Sequence, residues 1–176
     1  MDITTLFLFE LKRQSKFAII AYSDIQQSLT SHDIDRIWYS IQSFLVAVGN
    51  ISKILWGTDD AIRNRRTDLR QLLLIDDSSV LNSRRFRNHF EHFDERLEDW
   101  TNTVKGSVVD SNVGPSGFIS TPQGESSYLR NFDNQKFVLT FRGEEYQFQP
   151  VFDAVQILFN TATNELYKRI FSHNHS

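Results

Sequence analysis

The sequence has no cysteine, one methionine, three prolines and seven glycines in 176 residues. Without cysteine there is no disulfide, no thiol nucleophile, and no zinc or iron–sulfur site built on thiolates. Such a chain suits a reducing compartment. Long apolar runs are also lacking. Leu6-Phe7-Leu8-Phe9 is bracketed by Asp2 and Glu10, and Lys12 follows. A secretory leader needs a basic start and a longer apolar stretch, and a spanning helix needs about 20 mostly apolar residues. The expectation is a cytoplasmic protein with no membrane association. Neither sign of charge dominates: 19 basic and 22 acidic residues give a net charge of −3. The whole chain is therefore not a polycation drawn to nucleic acid.

What is present is core material. Apolar residues make up 40% and aromatics 13%, enough for one sizeable core and too much for a disordered chain. The length favours a single domain over 1–176. Within it we read a helical bundle over 2–104, a β-hairpin insertion over 106–149 and a closing helix over 150–171. The fold class is mainly α, or α+β overall: an up-down bundle with a small antiparallel sheet before the last helix.

The helices follow from apolar spacing. From Asp2 to about Leu29, one stripe holds Phe7, Leu11, Ala18, Ala21, Ile25 and Leu29, with Leu6, Phe17 and Ile20 beside it. Ser31 or Asp33 can cap a second helix from about Ile34 to Trp56, and Gly57 is its stop. Its stripe is Ile34, Ile37, Trp38, Ile41, Leu45, Val48 and Leu55, flanked by Phe44 and Ile51. A short connection makes the two antiparallel. A shorter helix is expected over Asp59–Leu74. A fourth should start near Asn82 or Ser83 and end near Thr103, with Phe86, Phe90, Phe93, Leu97 and Trp100 on one stripe.

Four glycines and two prolines between Gly106 and Gly124 oppose helix there. Val108-Val109 and Phe118-Ile119 are candidate short strands. Tyr128–Phe132 and Phe137–Phe141 alternate at period two around Asp133-Asn134, and Arg142-Gly143-Glu144 leads to Tyr146 and Phe148. Pro150 suits the first turn of the last helix, with Val155, Leu158, Phe159, Ala162, Leu166 and Ile170 facing inward.

The densest chemistry lies in Arg84-Arg85-Phe86-Arg87-Asn88-His89-Phe90-Glu91-His92. On an ideal wheel His89 falls about 60° from the phenylalanine stripe. Arg87 and His92 fall about 100° and 120° to opposite sides of it. Other Arg–His spacings of similar length occur at Arg84–His89, Arg85–His92 and Arg169–His175. Of these arginines only Arg87 is followed at once by Asn, Asp or His.

Arg87-Asn88-His89-Phe90-Glu91-His92, on a late helix of an all-helical bundle, resembles the motif of the HEPN superfamily. The resemblance covers the helices from about residue 2 to 104 plus the last helix; the 106–149 segment departs from the minimal family bundle. It implies a metal-independent endoribonuclease of a toxin–antitoxin or defence system. It also implies a homodimer that joins two motifs into one site, with no cofactor and no metal. RNA would be the substrate, and an antitoxin-type protein a partner. Histidine suits removal of the ribose 2′-OH proton, because its usual pKa is near 6.5. Arginine suits the charge building on the phosphorane, because its planar fork stays protonated. The catalytic candidates are Arg87, Asn88 and His92, with Asn88 orienting the phosphate or His92. Arg84, Arg85, His89, Arg63 and Arg66 are candidates for holding RNA. Cleavage would give a 2′,3′-cyclic phosphate and a 5′-OH.

Each feature has a plainer reading. An Arg-, His- and Glu-rich helix face is commonly just solvated. The Arg63–Arg70 cluster has Asp59, Asp60 and Asp68 beside it as partners. Trp38, Trp56 and Trp100 lie on or next to apolar stripes and read as core. His173 and His175 sit on a polar tail, and His32 belongs to the cap of the second helix. The rival function is a non-catalytic HEPN-like module that binds a protein or a nucleotide.

Overall fold

The computed structural model describes residues 2–83, 93–104, 109–115 and 128–172. In chain order the elements are α1 (Ile3–Ser31), α2 (Ile34–Trp56), α3 (Asp60–Arg65), α4 (Thr67–Leu72) and a 3-10 turn at Val80–Asn82. Then come α5 (Phe93–Thr103), β1 (Asn112–Val113), β2 (Arg130–Asp133), β3 (Val138–Phe141), β4 (Glu144–Gln147) and α6 (Phe148–Ser172). The chain is mainly helical, with a small four-stranded sheet ahead of the last helix. Among the described residues no helix is long and apolar enough to cross a membrane.

Helix α1 packs on both α2 and α6. The α1–α2 pair is antiparallel: Asp24, late in α1, meets Arg36, early in α2, at 3.1 Å, and Gln14 accepts from Asn50. The second helix buries every residue of its expected stripe except Ile34, which stays exposed. The first helix buries Leu8, Leu11, Ala18, Ala21, Tyr22 and Ile25, while Leu6, Phe17 and Ile20 face solvent. Ser15, Ser28, Ser40 and Ser52 are buried in their place. A serine is small enough to fit a tightly packed position, and the hydroxyls of Ser15 and Ser40 are buried there without a hydrogen-bond partner among the described residues.

Aromatic rings bind the helices to the sheet. Phe44 of α2 stacks on Phe148 at 4.8 Å, and Phe148 meets the edge of Phe132 of β2 at 5.5 Å. Tyr22 stacks on Phe152 at 3.9 Å and donates its hydroxyl to Gln149 at 2.6 Å. In register, Phe132 lies opposite Leu139 and Leu139 opposite Tyr146, so all three share the core face.

The β2–β3–β4 meander is the antiparallel sheet expected from alternation. Arg142 and Gly143 both have positive φ, as a two-residue type I′ hairpin requires. The parallel edge strand β1 was not expected; it pairs Val113 with Phe132. Val109 bridges to Tyr128, whereas Val108 and Phe118-Ile119 lie outside the described residues. The single helix expected over Asp59–Leu74 is two short ones, broken at Arg66 (φ −94, ψ 1), whose N–H turns back to the Arg63 and Asn64 carbonyls. Val80–Asn82 is a 3-10 turn and Ser83 is extended, the backbone of a residue that caps a helix N-terminus; the first turns of the expected fourth helix lie outside the described residues. Residues 84–92 lie outside the described residues. Helix α5 ends at Thr103, where expected; of its described stripe Trp100 is buried but Leu97 is exposed. In α6, Val155, Leu158, Ala162 and Leu166 are buried, but Ile170 is exposed.

Two helix ends carry checkable energetics. Asp2 caps α1, accepting from the Thr5 hydroxyl and backbone N–H, with Arg169 nearby. These contacts hold its pKa at about 2, below the usual 3.8. The folded pKa is depressed, so the cap's contribution is present above pH 3.8 and is lost as pH falls through about 2. Amide exchange at residues 3–6 should therefore accelerate across that window in the wild type and be fast throughout in Asp2→Ala. At the other end of the pair α3–α4, Leu74 occupies the left-handed position (φ 56) of a Schellman cap. Its N–H reaches the Gln71 carbonyl and the Ile75 N–H reaches Arg70. A leucine is strained where glycine is not. Leu74→Gly should raise unfolding free energy by about 0.5–1 kcal/mol in a urea titration.

Candidate functional site

The expected catalytic trio Arg87, Asn88 and His92, together with Arg84, Arg85 and His89, lies outside the described residues. What the structure describes is the helix immediately after His92. Among the described residues, helix α5 meets the sheet segment through Trp100 and Asp99. Trp100 is buried with Leu129 and Phe141 in a small cluster separate from the main core, with Val104 packed against it. Asp99 pairs with Arg142 of the β3–β4 turn at 2.6 Å. The β segment therefore fixes the C-terminal continuation of the motif-bearing stretch. Asp94, Glu95, Glu98 and Asp99 are exposed, as a solvated face requires.

The other candidates, Arg63 and Arg66, sit where α2 turns into α3 and α4. Gly57 stops α2 with φ 68; a Cβ there would lie 2.2 Å from Ile62. Asp59 accepts from the Ile62 N–H and starts α3. The chain then folds back on Asp77. Arg63 pairs with Asp77 at 3.0 Å, and the Trp56 indole donates to the same carboxylate at 2.7 Å. Arg63 and Trp56 together hold the Asp77 carboxyl below its usual pKa.

Arg70 is buried beneath them. It donates to the Leu55 carbonyl at 2.8 Å and the Arg63 carbonyl at 3.0 Å, capping the C-termini of α2 and α3 at once. A charged donor to buried carbonyls is worth about 1.5–3 kcal/mol. Arg70→Met keeps the volume and should lower unfolding free energy by roughly that amount in denaturant titration.

Arg66 lies 3.8 Å from the centre of the Phe7 ring, a cation–π contact with α1. Burial, then the neighbouring Arg65, push its pKa down, yet arginine keeps its proton at neutral pH. Arg63 and Arg66 thus belong to one segment, but both are engaged by side chains of this chain. Residues 59–77 contain four arginines and five aspartates, so this corner offers little net attraction to a phosphate backbone.

Three connections were missed in the sequence: the Trp56–Asp77–Arg63 junction, Arg130 paired with Asp110 and set over Trp38 at 5.4 Å, and the Trp38 indole donating to the Ser111 carbonyl. The available signal was that a buried indole N–H needs an acceptor. Among the described residues no three potential ligands cluster to hold a metal ion. The chain matches no family model, no curated protein and no solved structure.

Proposed function

We propose that the chain is a HEPN-like endoribonuclease, a cytoplasmic homodimer in which two Arg87–His92 motifs share one cleft. The observation that carries this reading is the Arg87-Asn88-x-x-x-His92 spacing, in a stretch whose phenylalanines recur at helical period and which follows an antiparallel pair of long helices. His92 takes the proton from a ribose 2′-OH, the freed oxygen attacks the adjacent phosphorus, and the bond from phosphorus to the 5′-oxygen breaks, the leaving oxygen taking up a proton from solvent. Arg87 donates to the equatorial oxygens as their charge grows, and Asn88 orients the phosphate or His92. The products are a 2′,3′-cyclic phosphate and a 5′-OH. An enzyme of this kind fits a toxin–antitoxin or defence system, with an antitoxin-type protein restraining it.

A second reading is favoured by the acid-paired state of Arg63 and by the ring contact of Arg66. It is a non-catalytic HEPN-like module that binds a protein or a nucleotide. A mixed pool of single-stranded RNA and tRNA, incubated with the protein in EDTA, separates the two. Cleavage supports the ribonuclease. An intact pool in the presence of folded protein supports the binding module.

A further inference from the structure

Helix α1 buries Leu8, Leu11, Ser15, Ala18, Tyr22 and Ile25. The opposite face of such a helix is ordinarily polar and charged. On this one, Leu6, Phe9, Phe17 and Ile20 fall within about 80° of one another on the wheel, on the side away from the core. Each is between 41% and 50% exposed. The apolar surface continues across an open groove of about 380 Å³ onto α2, where Phe17 faces Tyr39 and Val46 among the lining residues. Tyr39 and Val46 are 61% and 60% exposed. Charge is unevenly placed as well. The whole chain is −3, yet residues 3–23 carry Lys12, Arg13 and Lys16 against Glu10 alone. Glu10 pairs with Arg13 at 3.5 Å, and Asp24, just beyond, pairs with Arg36 of α2 at 3.1 Å. Lys12 and Lys16 have no carboxylate partner among the described residues. On the wheel both flank the same edge of the apolar arc, Lys16 about 20° and Lys12 about 60° beyond it.

We propose that this face of α1 seats the protein on an anionic lipid surface. Leu6, Phe9, Phe17 and Ile20 enter the boundary between headgroups and acyl chains, and Lys12 and Lys16 meet the lipid phosphates and carboxylates. An apolar stripe with lysine or arginine beside it is the composition of a helix that lies in the plane of a membrane. Tyr39, with an apolar ring and a polar tip, suits the headgroup level. A contact of this kind needs no spanning helix. Anionic lipid is what a cytoplasmic leaflet presents. A nucleic-acid strand fits the face less well. The uncompensated cations stand to one side of it, and Leu6 and Ile20 offer a base no ring to stack on.

The stripe spans about 21 Å along the helix axis. Four apolar side chains and two uncompensated lysines make a reversible attachment, one that weakens as salt screens the lysines. The inference rests on α1 and α2 and does not depend on the ribonuclease reading.

Co-sedimentation with vesicles tests it. The wild-type chain should bind vesicles of equimolar phosphatidylcholine and phosphatidylserine, bind phosphatidylcholine alone far less, and be released as salt rises. The double variant Phe9→Ser/Phe17→Ser should lower the partition coefficient at least about tenfold. Lys12→Gln/Lys16→Gln should lower it about tenfold as well. Thermal melts of both should match the wild type, since none of the four side chains is buried. Ile157→Ser, exposed on α6 beside Leu74 and Leu81, should bind as the wild type does. The absence of native cysteine gives a second readout. An environment-sensitive fluorophore on Phe17→Cys should shift to the blue on anionic vesicles, and the same fluorophore on Ile157→Cys should not. Failure of the folded wild type to bind, equal binding to both vesicle types, or double variants that bind like the wild type would overturn the proposal. Capture of an acidic protein or of RNA by this face, with no vesicle binding, would overturn it too.

Discussion

His92→Ala is expected to lower the rate of RNA cleavage by about 10²–10⁴-fold, the usual contribution of a positioned general base. The same substitution should leave stability within about 0.5 kcal/mol. On the helical wheel His92 lies about 120° from the Phe86/Phe90/Phe93 stripe, so its loss opens no cavity. Arg87→Lys is the companion: it keeps the charge and loses the bidentate fork, so cleavage should fall while folding is unaffected. Initial rates on a defined RNA, with thermal melts of each variant, check both halves of the expectation. A His92→Ala protein that unfolds would show that the helical phase read from the sequence is wrong.

The largest effect on stability is expected at Phe44. It is 1% exposed, stacks on Phe148 and touches Tyr22 at 6.0 Å. It therefore joins α2 to α1, to α6 and, through Phe148, to the sheet. Phe44→Ala removes the ring from a site walled by other aromatics that cannot collapse into the space. The expected loss is about 3–5 kcal/mol, a fall in melting temperature of roughly 6–20 °C for a chain this long. Val46→Ala, two residues away and 60% exposed, should change stability by no more than about 0.5 kcal/mol. Parallel denaturant titrations of the two variants separate burial from helix propensity.

Elements with many repeats of their period were legible in the sequence. The second helix shows its 3.6-residue period over six turns, and Gly57 marks its end through a backbone angle that disfavours other residues. The hairpins showed themselves through Asp133-Asn134 and Arg142-Gly143. Short features left no such trace. A two-residue strand such as Asn112–Val113 has no period to read, and the break at Arg66 carries neither glycine nor proline. Apolarity misplaced Leu6, Phe17 and Ile20, which are about half exposed while Ser15 and Ser28 of the same helix are buried, so hydropathy alone did not decide which positions face the core.

For the site, spacing named Arg87 and His92. It could not reveal that Arg63 is paired with Asp77, a residue 14 positions away, in a junction that exists only once α3 and α4 fold back.

The central claim is that His92 and Arg87 drive attack by the ribose 2′-OH. Mass analysis of product ends, after wild-type cleavage of RNA in EDTA, tests it most directly. The account predicts 2′,3′-cyclic phosphate and 5′-OH ends that His92→Ala does not produce. Ends bearing a 3′-OH and a 5′-phosphate, or no cleavage by folded wild-type protein, would contradict it.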